Sequence, residues 1–315
     1  MQNHDEHYLY SPNFMKKLVI IFLFVSTNLC GQDYSKTLHT FNKMLKTNKD
    51  LCSYRTFIDT TTYLYPEMYT SLLSLEKTTQ DTNLIAECFK RLVLSGYDEE
   101  YYEKFFLKGY MDIKQRQWEK YRPIYEKGLD TVLVRKIKEM LENDQYVRRN
   151  DVSLEILLKT DSINQVELKK IIIDLGKIPE IRELGYTTLY DLMIMFRHID
   201  CNNDFFYFIY PKIIQQTKKG EFSPEQVASM IDYYWWGCEF IQKDKAKGFS
   251  YQLYGTSKLK ADDGQLIKIP VKDWEETEKL RYELGLPSLK EELENNPKVI
   301  YDLELFKEKF STFQE

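Results

Sequence analysis

The sequence predicts a mainly α-helical protein: an amino-terminal bundle of repeat-like helices, then a mostly helical carboxy-terminal domain with one β-hairpin. Three observations predict it. Apolar residues recur at three-and-four spacing along most of the chain. Only 12 glycines and 9 prolines punctuate 315 residues, too few for the turns of an all-β chain. A single Asp-Gly pair, Asp263-Gly264, separates two short alternating segments, which is a hairpin signal. A hydrophobic content of 43% provides for folded cores and excludes wholesale disorder.

The chain opens on an address label. Met15-Lys16-Lys17 precedes an unbroken apolar run, Leu18 to Val25, and then Ser26-Thr27-Asn28-Leu29-Cys30-Gly31. A basic start, a short apolar stretch and a small residue at the end predict a signal peptide over 1–31, with Met15 an alternative start. The run is shorter than the about 20 residues that span a bilayer, so no transmembrane span is expected. The chain is therefore expected to be exported, periplasmic or extracellular; the alternative is a lipoprotein anchored through Cys30. Export leaves Cys52, Cys88, Cys201 and Cys238 as either buried thiols or disulfide partners. None forms a CxxC pair.

Segment 32–128 holds three glycines and two prolines, whereas residues 151 onward hold eight and six. That shift places a boundary near residues 125–150, and the chain is read as 32–128, 129–296 and a terminal helix or tail over 297–315. In the first part Tyr34, Leu38, Phe41 and Leu45 form one helical stripe. Ile85, Phe89 and Leu92 form another behind Thr82 as N-cap. Tyr101, Tyr102, Phe105 and Phe106 follow the break at Gly96-Tyr97-Asp98. Paired amphipathic helices of this kind look like degenerate tetratricopeptide-type repeats, with an irregular helical bundle as the alternative, and they offer a surface for a protein partner.

In the second part Asp130 or Thr131 starts a helix reaching about Arg149, with Leu133, Ile137 and Met140 on one face. Asp144 continues that stripe and Arg148 lies one turn on, an i, i+4 ion pair. Leu189 to Phe196 is apolar nearly all round, the mark of a buried helix. It ends at Arg197-His198-Ile199-Asp200, where the macrodipole favours a cation. Ser223-Pro224-Glu225 opens a helix with Val227, Met230, Ile231, Tyr234, Cys238 and Ile241 on its buried face. Asp232 and Trp235-Trp236 ride beside that face. Strands are expected within 251–259 and 265–269. Asp273 caps a helix that Gly285 stops, and Ser288-Leu289-Lys290-Glu291 is a capping box.

These pieces, in order, resemble an uncharacterised bacterial family, a domain of unknown function common in exported and repeat-containing proteins. The resemblance runs over about residues 130–295 through Asp144-Gln145 with Arg148, Asp161 and Asn164 before Leu168, and Gly176, Pro179 and Gly185. It continues through His198 with Asp200, Gly220-Glu221, Asp232, Gln252, Tyr254-Gly255-Thr256, Asp273, Arg281 and Gly285-Leu286. It implies a fold and candidate residues but no reaction. Where the family places Arg and Gln this chain has Tyr233 and Ser257, so a site relying on either would be weakened here.

Two functions are consistent with these residues. The first is a binding or accessory module that grips a protein through the amino-terminal helices, with a polar cluster around His198. The second is a hydrolase or lyase with His198 as general acid or base, oriented by Asp200 or Asp232. In the second, Arg148 or Arg281 would clamp an anion while Gln252 and Thr256 position the substrate, and Asp144, Gln145 and Tyr254 complete the set. No Gly-x-Ser-x-Gly, His-Glu-x-x-His or phosphate-binding loop is present, and no cofactor is called for. His198 is the only histidine after His39, so a multi-histidine metal site in the second part is excluded. A net charge of -5 argues against a nucleic-acid partner.

Overall fold

The computed structural model describes residues 34–47, 51–61, 64–75, 81–97, 110–150, 152–198, 203–235 and 251–310. The predicted signal segment, Tyr101 to Phe106, Asp200, Cys201, Trp236, Cys238, Ile241 and the Cys52 side chain lie outside them. Among the described residues thirteen helices and three short strands follow one another. Helices α1 (Tyr34–Lys46), α2 (Leu51–Thr60), α3 (Pro66–Leu75), α4 (Thr82–Leu94) and α5 (Met111–Gly128) come first. Helices α6 (Thr131–Arg149), α7 (Leu154–Leu175), α8 (Ile181–Arg197), α9 (Asn203–Thr217) and α10 (Pro224–Tyr233) follow. Then come β1 (Lys258–Lys260), β2 (Leu266–Lys268), α11 (Trp274–Leu284), α12 (Leu289–Asn295), β3 (Val299–Ile300) and α13 (Leu303–Phe310). The protein is mainly α, and none of these helices is long and apolar enough to cross a membrane.

Capping chemistry sets most boundaries. Asp130, Ser153, Ser223, Asp273 and Ser288 each accept a backbone N–H at the start of their helix. Gly176 and Gly285 end α7 and α11 in left-handed conformation, where a Cβ would be strained. Two local expectations are corrected. The cap of α4 is Asp81, whose carboxylate takes the N–H of Asn83 and Leu84; an ionised acceptor outcompetes the Thr82 hydroxyl there. The reciprocal capping box lies at Glu180 and Glu183, opening α8. At Ser288 only the serine half is made, because Glu291 pairs with Lys46 instead.

Two cores form. The first gathers Tyr34, Leu38, Phe41, Ile58, Leu72, Ile85 and Leu92 from α1 to α4, together with the buried Cys88. The second gathers Ile137, Leu168, Leu192, Phe196, Phe206 and Ile231 from α6 to α10; within it the Phe206 and Tyr234 rings stack 3.6 Å apart.

Tyr186 packs against both cores, and the junction around it is built from backbone and aromatic groups. Its N–H donates to the Ser95 carbonyl at 2.8 Å. Its ring lies 4.6 Å from that of Tyr97 and 5.8 Å from that of Tyr65. The preceding Gly185 breaks α8 with φ 75° and ψ 159°. The Tyr125 side chain of α5 fills the space where a Cβ at Gly185 or at Gly96 would stand.

The predicted hairpin is present as β1 and β2, paired antiparallel with Leu259 opposite Ile267. Gly264 takes φ 86° in its turn, as a glycine in a bulged hairpin loop does. The strand is shorter than expected: Gln252 to Ser257 runs as a loop, pinned by an isolated parallel bridge from Gln252 to Val271 and by the Asp232 carboxylate rather than by a continuous ladder. The tail is also more than a helix: Val299–Ile300 adds a third strand, parallel to β2. Behind it Phe306 and Phe310 of α13 pack on Ile267 and Ile269. Finally, α11 lies against α1. His39 stacks on Tyr282 with centroids 4.3 Å apart, and Leu38 sits 2.6 Å from where a Cβ of Gly285 would be.

Candidate functional site

The expected polar residues separate into two clusters. The first is built by three helices. Asp144 continues the Leu133–Ile137–Met140 stripe of α6 and is therefore 0% exposed. Arg148 follows one turn later. Asp161 projects from the buried face of α7, which it shares with Asn164 and Leu168. His198 ends α8 as its C-cap, with its N–H on the Met195 carbonyl. Arg148 bridges the two carboxylates: Nε lies 3.2 Å from Asp144 and Nη2 pairs with Asp161. Gln145 donates to Asp144 at 2.9 Å.

Nδ1 of His198 lies 3.0 Å from Asp144 Oδ2 and 3.1 Å from Arg148 Nε. One ring nitrogen cannot donate to the first while accepting from the second. Donation to the carboxylate is the charge-assisted choice, and it leaves Arg148 Nε to Asp144. Nε2 is then without a partner among the described residues, on a side chain one quarter exposed. Burial pushes the Asp144 carboxyl up, but His198 and Arg148 outweigh it and hold the group below the usual carboxylate range. At Asp161 burial wins over the pull of Arg148, aided by the like charge of Asp144, and the carboxyl is raised.

Asp144, Asp161 and His198 each offer a ligand atom, all within 4.8 Å of one another. That set fits a divalent transition ion by donor type. The Arg148 guanidinium, however, already supplies the cation between the carboxylates. Metal binding therefore requires its displacement. Arg148→Met is expected to gain a thermal shift with Mn²⁺ or Zn²⁺, measured against EDTA, that the unmodified chain lacks; equal shifts in both would show that the arginine does not fill the site.

The second cluster is closed. Asp232 is 0% exposed and its oxygens accept four bonds: from the N–H of Leu253, Tyr254 and Thr256 and from the Thr256 hydroxyl, at 2.7–2.8 Å. Burial drives its carboxyl upward and those bonds pull it part of the way back. Gln252 donates to the Ser257 and Ile269 carbonyls and accepts from the Ser257 N–H. Arg281, 2% exposed, spends its donors on the Pro287 and Tyr254 carbonyls and on Glu292. Glu292 also takes the buried Lys268 ammonium at 2.5 Å. Gly255 is the residue that lets this loop close, since a Cβ would meet Val271 at 3.0 Å and Leu289 at 3.1 Å.

The structure thus brings His198, Asp144, Gln145 and Arg148 together. It places Asp232, Gln252, Tyr254, Thr256 and Arg281 in a separate network that, among the described residues, shares no hydrogen bond with them. Asp144 faces the imidazole, and both arginines have their guanidinium groups engaged by carboxylates of this chain. Asp161, which the sequence offered only as a piece of the resemblance and with no role in the site, joins them from the buried face of α7. Tyr233 is 47% exposed, and Ser257 joins the network through its backbone alone. A cleft of about 570 Å³ lies elsewhere, between α1 and the α11–α12 turn, bordered by His39, Lys43, Tyr282 and Glu291. No protein-family model, curated protein or solved structure matches the chain.

Proposed function

We propose that this chain is an exported accessory module of the uncharacterised family it resembles, binding a protein partner through its amino-terminal, tetratricopeptide-like helices. Its polar clusters then serve the fold of the carboxy-terminal part. One observation carries this reading: neither arginine is free to hold an anion. Arg148 is neutralised by Asp144 and Asp161, and Arg281 by Glu292 and two carbonyls. Likewise Asp232 is fully buried with four donors on its two oxygens, so its acceptor positions are already taken by this chain.

His198→Ala is the test. It strips Asp144 of one partner, and the expected cost is about 1–2 kcal/mol, or roughly 1.5–3 °C in Tm for a chain of this size. Turnover of ester, phosphate or glycoside substrates should be absent from both forms. Hydrolysis that disappears with His198 would overturn the module.

The second reading, acid–base chemistry, is favoured by a single feature. Nδ1 is held by a carboxylate while Nε2, on a side chain one quarter exposed, is without a partner among the described residues, which is how a general base is oriented. The orienting group would be Asp144 rather than Asp232; Asp200 lies outside the described residues.

A further inference from the structure

Neither polar cluster uses Glu67, in the first turn of α3. Its carboxyl is tucked into the junction between the two cores, where Oε1 accepts the Tyr186 hydroxyl of α8 at 2.5 Å. Oε2 is buried with no hydrogen-bond partner among the described residues. A carboxylate normally enters such a position beside a cation. Among the described residues, the groups acting on it are Tyr186 itself, Glu225 from the first turn of α10 and the phenol of Tyr34 on α1. Tyr65 and Tyr97 complete the aromatic wall around Tyr186. Arg91 of α4 is committed to Glu87 and to the Ile58 and Thr61 carbonyls.

We propose that Glu67 is a pH-operated latch on the junction between the two cores, closing it when protonated and loosening it when ionised. The geometry supplies both states. A neutral carboxyl keeps the Tyr186 hydroxyl as donor and buries no charge. An ionised one leaves Oε2 charged, dry and opposite Glu225, and relief comes only by moving α3 away from α8 to admit water.

Burial, partly offset by the Tyr186 hydrogen bond and reinforced by Glu225, pushes the Glu67 carboxyl up to about 7 from its ordinary value of 4.5. Between those two values the folded chain holds a proton that the unfolded chain has released. The stabilisation is therefore full below the unfolded value and is lost as pH rises through about 7. The transition falls in the neutral range, where modest changes of surroundings would move it.

The test follows the Tyr186 amide, which is bonded to Ser95 across the same junction. Its hydrogen-exchange protection, corrected for the intrinsic rate at each pH, is expected to fall roughly tenfold between about pH 5.5 and 8.5. In Glu67→Gln, which keeps an acceptor but cannot ionise, protection is expected to stay flat. In Tyr186→Phe the donor that favours the ionised form is gone. The midpoint, read on the backbone amide at position 186, is expected to move to higher pH. Constant protection in the unmodified chain, or a fall that persists in Glu67→Gln, overturns the latch. Should Glu67→Gln fail to fold, an unmoved midpoint in Tyr186→Phe overturns it equally.

Discussion

Asp232→Ala is expected to destabilise the chain by about 3 kcal/mol or more, read as a lowered midpoint in urea with unchanged slope. The carboxylate accepts the N–H groups of Leu253, Tyr254 and Thr256, and it also takes the Thr256 hydroxyl. Alanine orphans three backbone donors at once beside a fully buried position, and each buried orphan costs about 1–3 kcal/mol. The damage should spread, because the Tyr254 carbonyl of the same loop holds Arg281, and Arg281 joins α11 to Glu292 of α12. Asp232→Asn is the sharper probe. Its amide oxygen can serve one pair of donors, but its NH₂ must then point at the other pair. A loss nearly as large as that of alanine is expected. If asparagine were neutral, the loop would be held by something other than this carboxylate.

Gly185→Ala is expected to cost a similar amount, about 3 kcal/mol or more, for two separable reasons. The backbone at φ 75° and ψ 159° lies in a region essentially reserved for glycine. The new methyl would also overlap the Tyr125 hydroxyl. A double substitution with Tyr125→Ala divides the two. Removing the ring should recover the steric part and leave the backbone part, so the coupling measured in the cycle is the clash. Gly176 supplies the comparison: it is also left-handed, at φ 68°, but has nothing within 4 Å of where a Cβ would stand. Gly176→Ala should cost only about 1 kcal/mol. Equal losses at 176 and 185 would mean that neither the Tyr125 clash nor the backbone conformation at 185 carries an extra cost.

What the sequence made legible was local. Ser223-Pro224, Asp273 and Gly285 mark their helix ends because a cap and its target lie within one turn. The Asp144–Arg148 pair was readable for the same reason, as both sit on one helix four residues apart. Asp161 and His198 reach Arg148 from other helices, 13 and 50 residues away in the chain, and no spacing rule spans such a gap. Asp232 shows the opposite limit. An acid beside an apolar face suggested reactivity, yet its oxygens went to a loop some twenty residues on. The role of Glu67 was wholly invisible, since a first-turn glutamate is an ordinary surface residue until Tyr186, 119 residues later, covers it. The third strand escaped because two residues carry no periodicity, and only β2 makes them a strand.

The stacking of His39 on Tyr282 joins positions 243 residues apart, and this bears on the order in which the molecule can assemble. During synthesis at about 5–20 residues per second, the buried members of the first core, which end at Tyr97, are made roughly 9–35 s before α11 begins. The outer face of α1 must then wait for a partner made near the end of the chain. Contacts of such long range are slow to close, so the docking of α11 is expected to be the late step. The first helix of the bundle becomes a template on which one of the last is seated.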